Sequence, residues 1–236
     1  MQLASLPAFG NQPSPGAAVF SASESTLDLS GDPIEASLPL AMLEAVKAID
    51  TPVGDFDAEL VHELRNKRLG LSETVLQQIR RYAADVKAGD AVAYAEVLAL
   101  ARLLGRRPDV DLVFMEAGRR WARAMSASVG AVRKSAARSL PAMVARPASL
   151  RMLRKLASRY MAGKITRQGS SLHLEVVSPV SADAAATGRG CVLYESAFRE
   201  LLHVLVDIDG AVEHVTCRSR GDSHCEWRAD WRRRQD

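Results

Sequence analysis

Aromatic residues are scarce in this sequence: Phe, Trp and Tyr make up 5% of its 236 residues. A core must then rest mainly on Leu, Val, Ala and Met, and ring stacking of the kind that binds single-stranded nucleic acid has little to work with. No apolar run approaches the roughly 18–20 residues needed to cross a bilayer. The N-terminus has no basic region leading into an apolar one, so a secretory signal is not expected and the expected compartment is the cytoplasm. No GxGxxG follows a strand and no P-loop is present, which removes the common ways of holding a hydride donor or a nucleotide. Cysteine is nearly absent too. The three that exist, Cys191, Cys217 and Cys225, fall in one segment. An odd number so confined does not make a disulfide framework and fits a metal site in a reducing compartment.

Acidic residues are missing from a long internal stretch. Residues 117–174 carry 13 basic side chains and no Asp or Glu, whereas residues 1–116 carry 10 basic and 17 acidic, and residues 175–236 carry 8 and 11. The net charge of +3 conceals this division. Such a stretch has a strongly positive local potential. Three readings follow. It is a helix face packed against acidic elements of the same chain; or it contacts an anionic partner or ligand group; or it binds nucleic acid, with Arg151, Arg154, Lys155 and Arg159 along one helix face. The sparse aromatics and low overall charge weigh against the third.

Periodicity divides the chain. Residues 1–35, rich in Ser, Pro, Gly and Ala, read as a flexible leader. A helix is expected over 38–49, broken by Thr51-Pro52-Val53-Gly54-Asp55. Another spans 72–88, capped by Ser72, ended by Gly89, and burying Val75, Leu76, Ile79, Tyr82 and Val86 on one face. A helix to Leu104 stops at Gly105. Asp109 can cap the next, which carries Val113, Phe114, Ala117 and Trp121. Residues 149–161 read as helix, ended by Gly163. The period then shortens to two. Strands are expected over 164–167, 171–177, 211–217 and 225–231, with a loop over 178–190 and a helix over 191–206. The fold class is α/β (α+β): a leader (1–35), a helical extension (36–108) and a mixed domain with a small antiparallel sheet (109–236).

In this frame Cys191 lies where a loop meets a helix, His214 and Cys217 lie on the first strand of a hairpin, and Cys225 opens the second. Zinc prefers four tetrahedral thiolate and imidazole ligands, and Cys3His is a common structural set. Glu213 and His224, each adjacent to a candidate ligand, could substitute for His214. Side chains alternate along a strand, so His214 and Cys217 share a face only if a bulge intervenes. Four protein ligands leave no open position for a substrate, so such a zinc is structural. The plainer alternative is three buried cysteines and a surface histidine.

The segment GRGCVLYESAFRELLHVLVDIDGAVEHVTCRSRGDSHCEWRADW resembles the 4-vinyl reductase domain. The hallmark of that domain is a Cys before a helix, a hairpin bearing a second Cys, a Gly-Asp-like turn, and a last Cys followed by an aromatic residue. The likeness is strong over about 190–231 and extends over 110–236 in element order. The domain occurs in a bacteriochlorophyll-biosynthesis protein assigned as 4-vinyl protochlorophyllide reductase, and in the sensor regions of phenol- and xylene-responsive activators. The resemblance implies a TRAPP-like fold, often dimeric, with an enclosed apolar pocket. It also implies zinc bound by the three Cys and by the residue three before the second, a Glu in the phenol sensors and His214 here.

A module binding a hydrophobic or aromatic small molecule is therefore expected, acting as sensor, carrier or assembly factor. Its pocket would be walled by the helix of Val113–Trp121, the helix over 149–161 and the strand over 172–176, and lined by Phe114, Trp121, Leu153, Tyr160 and Phe198. Each of these five would serve equally as plain core. No AAA+ or helix-turn-helix segment is evident, so a sensor of this kind would act through a partner protein. Catalysis is not expected, since a structural zinc transfers no hydride. The alternatives are 4-vinyl reduction of a chlorophyllide precursor, by analogy alone, and nucleic-acid binding through residues 117–174.

Overall fold

The computed structural model describes residues 31–52, 69–129, 142–207 and 210–230, with side chains throughout except at 142–146, 186 and 187. Most of the expected leader, Val53–Asp55 of the expected break, and Trp231 lie outside these residues.

A helical N-terminal half precedes a mixed helix and sheet part. Strand β1 (Ile34–Glu35) leads into α1 (Ser37–Asp50), α2 (Glu73–Ala88), β2 (Ala91–Val92), α3 (Tyr94–Gly105), α4 (Val110–Ala127) and α5 (Ala142–Met161). Then come β3 (Gly163–Gln168), β4 (Ser171–Val176), α6 (Val192–Val206), β5 (Val212–Thr216) and β6 (Cys225–Asp230). The last four strands form one antiparallel sheet in the order β3-β4-β6-β5, and β1 pairs with β2. Among the described residues, no helix is long and apolar enough to cross a membrane.

Alternation gives the sheet two unlike faces. Ile165, Leu172, Leu174, Val176, Trp227 and Ala229 are buried on one, while Lys164, His173, Glu226 and Arg228 share the other. The apolar face joins a core cluster that also takes in α1, α4 and α6. In α4, Val113, Phe114, Ala117 and Trp121 are fully buried on one stripe, as their spacing predicts. Burial of each large apolar side chain contributes about 1.5–3 kcal/mol.

The helix signals hold where a residue acts locally. The Ser72 hydroxyl accepts from the Val75 N–H, and Gly89 ends α2 with φ 80°. They fail where tertiary contacts take over. Asp109 occupies the position before α4, yet its side chain makes no cap bond; instead its carboxylate accepts from Arg107 at 2.8 Å through both oxygens. Arg107 also grips Asp50, whose buried carboxylate receives the Gly70 N–H at 2.8 Å, so this network ties the end of α1 to the start of α4. Val86, expected on the buried face of α2, is 41% exposed, since that helix meets the core through Val75 and Tyr82, with Ile79 partly buried beside them. Helix α5 begins seven residues before Ser149 and runs through Pro147. A proline forfeits one backbone bond, a loss tolerated in a helix anchored further on by Leu153, Leu156 and Ala157. Ala162 (φ 48°) rather than Gly163 makes the left-handed stop. Residues 34–35, inside the expected leader, gain order by pairing with 91–92.

Helix α6 lies along α4, and Gly118 is the point of closest approach. A Cβ there would sit 2.3 Å from the Leu193 carbonyl oxygen. Replacing an unhindered helical glycine by alanine stabilises by about 1 kcal/mol. Gly118→Ala is expected to reverse that sign and cost about 1–3 kcal/mol through overpacking, measured by urea unfolding. A stabilised variant would contradict the close crossing.

Candidate metal centre

The site begins with an irregularity in β5. His214 pairs with Trp227, but Thr216 pairs with Glu226, so two steps along β5 match one along β6 and Val215 is the additional residue. Regular alternation would send His214 and Cys217 to opposite faces. The bulge restores Cys217 to the face shared by His214 and Cys225, and Val215 is left 43% exposed. Cys225 opens β6 opposite Val176 on the same buried face. Cys191 arrives from the other side, at the end of a 3-10 turn (Ala186–Cys191) that leads directly into α6.

The result is a compact donor set. One ligand atom from each of Cys191, His214, Cys217 and Cys225 lies within 4.8 Å of every other. Cys191 Sγ is 3.8 Å from both Cys217 Sγ and Cys225 Sγ. That is far beyond the roughly 2.05 Å of a disulfide. All three cysteines are free and buried. His214 stacks on Trp227 with ring centroids 5.0 Å apart, which fixes the imidazole plane, and its Nε2 is buried with no hydrogen-bond partner. A buried imidazole nitrogen left unpaired beside three converging sulfurs is chemistry that a metal ion satisfies. These four residues can hold one.

The surroundings support the thiolate form of Cys225. The Cys225 thiol is pushed down to about 4 because Cys191 donates to it, with His214 and the Arg218 backbone N–H, at 3.3 Å, adding to the effect. Cys191 is correspondingly pushed up, as the donor of that pair and by burial. The turn after β5 is held by Asp222, whose carboxylate accepts from the Cys217 N–H at 2.7 Å. Gly188 (φ 76°) closes the site from above: a Cβ there would lie 2.9 Å from Cys217 Sγ.

The reserve ligands are elsewhere. Glu213 points to the polar face and pairs with Arg228 at 2.5 Å. His224 hydrogen-bonds Ser223 at 2.9 Å and sits 4.0 Å from Glu226. Neither joins the four donors.

One of the five expected pocket residues lines the described cavity. Phe114, Trp121, Leu153 and Phe198 are fully buried in the core. Tyr160 instead lines a cavity of about 490 Å³ between residues 31–38, α3, the end of α5 and the loop after β4. Tyr94, Tyr194 and the left-handed Ala162 line it as well. Sequence reasoning missed this cavity, and it missed two residues that join it to the metal centre. Arg218 follows Cys217 directly, and its guanidinium donates to Ser178 Oγ at 2.6 Å on the cavity wall. Tyr194, in the first turn after Cys191, stacks on Trp227 with centroids 5.6 Å apart and accepts from the Val180 N–H. Adjacency to a ligand was the only signal available for either.

Several described arginines of the basic stretch pair with acidic residues outside it. Arg120 pairs with Glu116 at 2.8 Å, Arg123 with Glu200 at 2.8 Å and Arg159 with Glu35 at 2.9 Å. Arg154 donates to the Ile165 carbonyl. Arg151 and Lys155 are exposed on α5.

Three substitutions and one deletion test the ligands and the bulge separately. Cys217→Ser is expected to lose bound metal, whereas Glu213→Gln and His224→Gln retain it, as read by metal analysis of purified protein. Deletion of Val215 removes the additional residue and leaves His214 and Cys217 two positions apart, the spacing that regular alternation places on one face. It is expected to retain the metal on an unbulged strand, and loss as complete as that of Cys217→Ser would show that the bulge does more than set the facing of these two ligands. No family model matches the chain, and no curated protein does either.

Proposed function

We propose that the protein is a zinc-stapled binding module for a hydrophobic or aromatic small molecule, acting as a sensor, carrier or assembly factor. The donor set supports zinc. Three thiolates and an imidazole suit its tetrahedral preference, and zinc–sulfur bonds of about 2.3 Å at tetrahedral angles separate sulfurs by about 3.8 Å, the spacing that Cys191 keeps from both other thiols. With all four positions filled by protein, such an ion would order the fold and leave no place for substrate. Structural zinc contributes on the order of 10 kcal/mol to folding.

The observation that carries the binding role is the bridge from the metal centre to the cavity. Arg218 reaches Cys225 through its backbone and the cavity wall through its side chain. Ser219 Oγ donates to the Ala182 carbonyl of the same loop at 2.7 Å. The loop between β4 and the 3-10 turn has no ladder of its own, so these bonds position it. At about 490 Å³ the cavity falls within the range of about 300–1,000 Å³ common for small-molecule sites.

Purified protein is expected to hold about one zinc per chain. Titration with phenols, tetrapyrroles and fatty acids is expected to raise the unfolding midpoint for at least one class. Stripping the metal with a chelator is expected to lower that midpoint and abolish the ligand effect. Absence of zinc, or of stabilisation by any of these compounds, would contradict the reading.

A further inference from the structure

The cavity is not uniformly apolar, and its charges are unequally engaged. Three arginines line it. Arg159 is committed to Glu35. The Arg218 guanidinium bonds only neutral oxygens, those of Ser178 and Val177. Arg102, half-buried on α3, has no hydrogen bond or ion pair among the described residues. The two remaining carboxylates, Asp32 and Asp183, are exposed to solvent. Among the described residues the cavity thus keeps two cations outside any ion pair, one of them partly withdrawn from water, where an unpaired charge is costly.

A third polar group stands beside them. The Tyr194 hydroxyl is buried, accepts from the Val180 N–H at 3.4 Å, and has no acceptor for its own proton among the described residues. Burial holds that phenol neutral by raising it above its ordinary range. It is therefore a donor with capacity left over. Apolar side chains complete the walls: Ile34, Leu38, Leu98, Met161 and Val180.

We infer that the cavity takes an organic anion: an apolar or aromatic body seated among Leu38, Leu98, Tyr94 and Tyr160, with a carboxylate received by Arg102, Arg218 and the Tyr194 hydroxyl. This rests on the reading of the protein as a small-molecule binder and adds to it the place and the charge of the ligand. Guanidinium is suited to carboxylate because its planar fork offers parallel N–H donors. A neutral analogue of the same body keeps the apolar contacts and leaves both arginines unpaired, so the site discriminates by charge and not by shape alone.

The test compares 1-pyrenebutyrate with its methyl ester, titrated by fluorescence into the full, metal-loaded chain. The acid is expected to bind about tenfold or more tightly than the ester, as charge-assisted hydrogen bonds imply. Arg102→Gln and Arg218→Gln, each checked for unchanged metal content and unfolding midpoint, are expected to lose most of that preference; Arg102→Gln keeps ester affinity, whereas Arg218→Gln, whose side chain also holds the loop after β4, is read by its acid-to-ester ratio alone. Arg106→Gln, an exposed arginine one turn from Arg102 and outside the cavity lining, is expected to keep it. Reading the two cavity variants separately preserves the test if one fails to fold. Equal binding of acid and ester, or a preference untouched in both variants, overturns the anion assignment and leaves small-molecule binding standing. Binding of neither probe overturns both.

Discussion

One additional residue in β5 governs the arrangement of the C-terminal part. Without Val215 out of register, the alternation of a strand would separate His214 from Cys217 and leave a single ligand from β5 on the inner face. With it, His214 of β5, Cys217 just after β5, Cys225 at the start of β6 and Cys191 just before α6 converge within 4.8 Å. The bulge is thus the local distortion that a four-donor centre requires, placed where β5 ends and its turn begins.

From that centre the constraint spreads by covalent adjacency. Cys191 fixes the first turn of α6, and three residues on Tyr194 stacks on Trp227, which stacks in turn on His214. Cys217 fixes the turn whose next residue, Arg218, holds the loop after β4. Helix α6 in turn lies along α4, at a separation that only Gly118 permits. A metal ion in this place would connect three otherwise separate pieces: the hairpin, the α6–α4 pair and the cavity wall. The cavity inherits its shape from the centre without sharing its chemistry.

The legible features share a physical cause: each is written in one short window. Ser72 and Gly89 delimit α2 through bonds to their own helix, and the four residues of the α4 stripe follow one period. The ligand set was legible because every cysteine falls in one segment, and the bulge was legible as a demand of alternation on His214 and Cys217. Long-range features left no such trace. The capture of Asp109 by Arg107 depends on Asp50, 57 residues from that arginine. The cavity is assembled from four separated stretches, so no window of sequence contains it. The five expected pocket residues share a helical or strand period with the core, and periodicity alone does not distinguish a wall from a filling. The basic run over 117–174 left three readings open in one dimension; in three, Arg120, Arg123 and Arg159 meet Glu116, Glu200 and Glu35, which fits packing against acidic elements of the same chain.

Cys191, His214, Cys217 and Cys225 can hold a metal ion between them, which we propose is zinc. X-ray absorption at the zinc edge, on protein purified without added metal chelators, measures this shell directly. The expected spectrum shows three sulfur neighbours at about 2.3 Å and one nitrogen at about 2.0 Å. A shell of nitrogen and oxygen alone, or of fewer than three sulfurs, would contradict it.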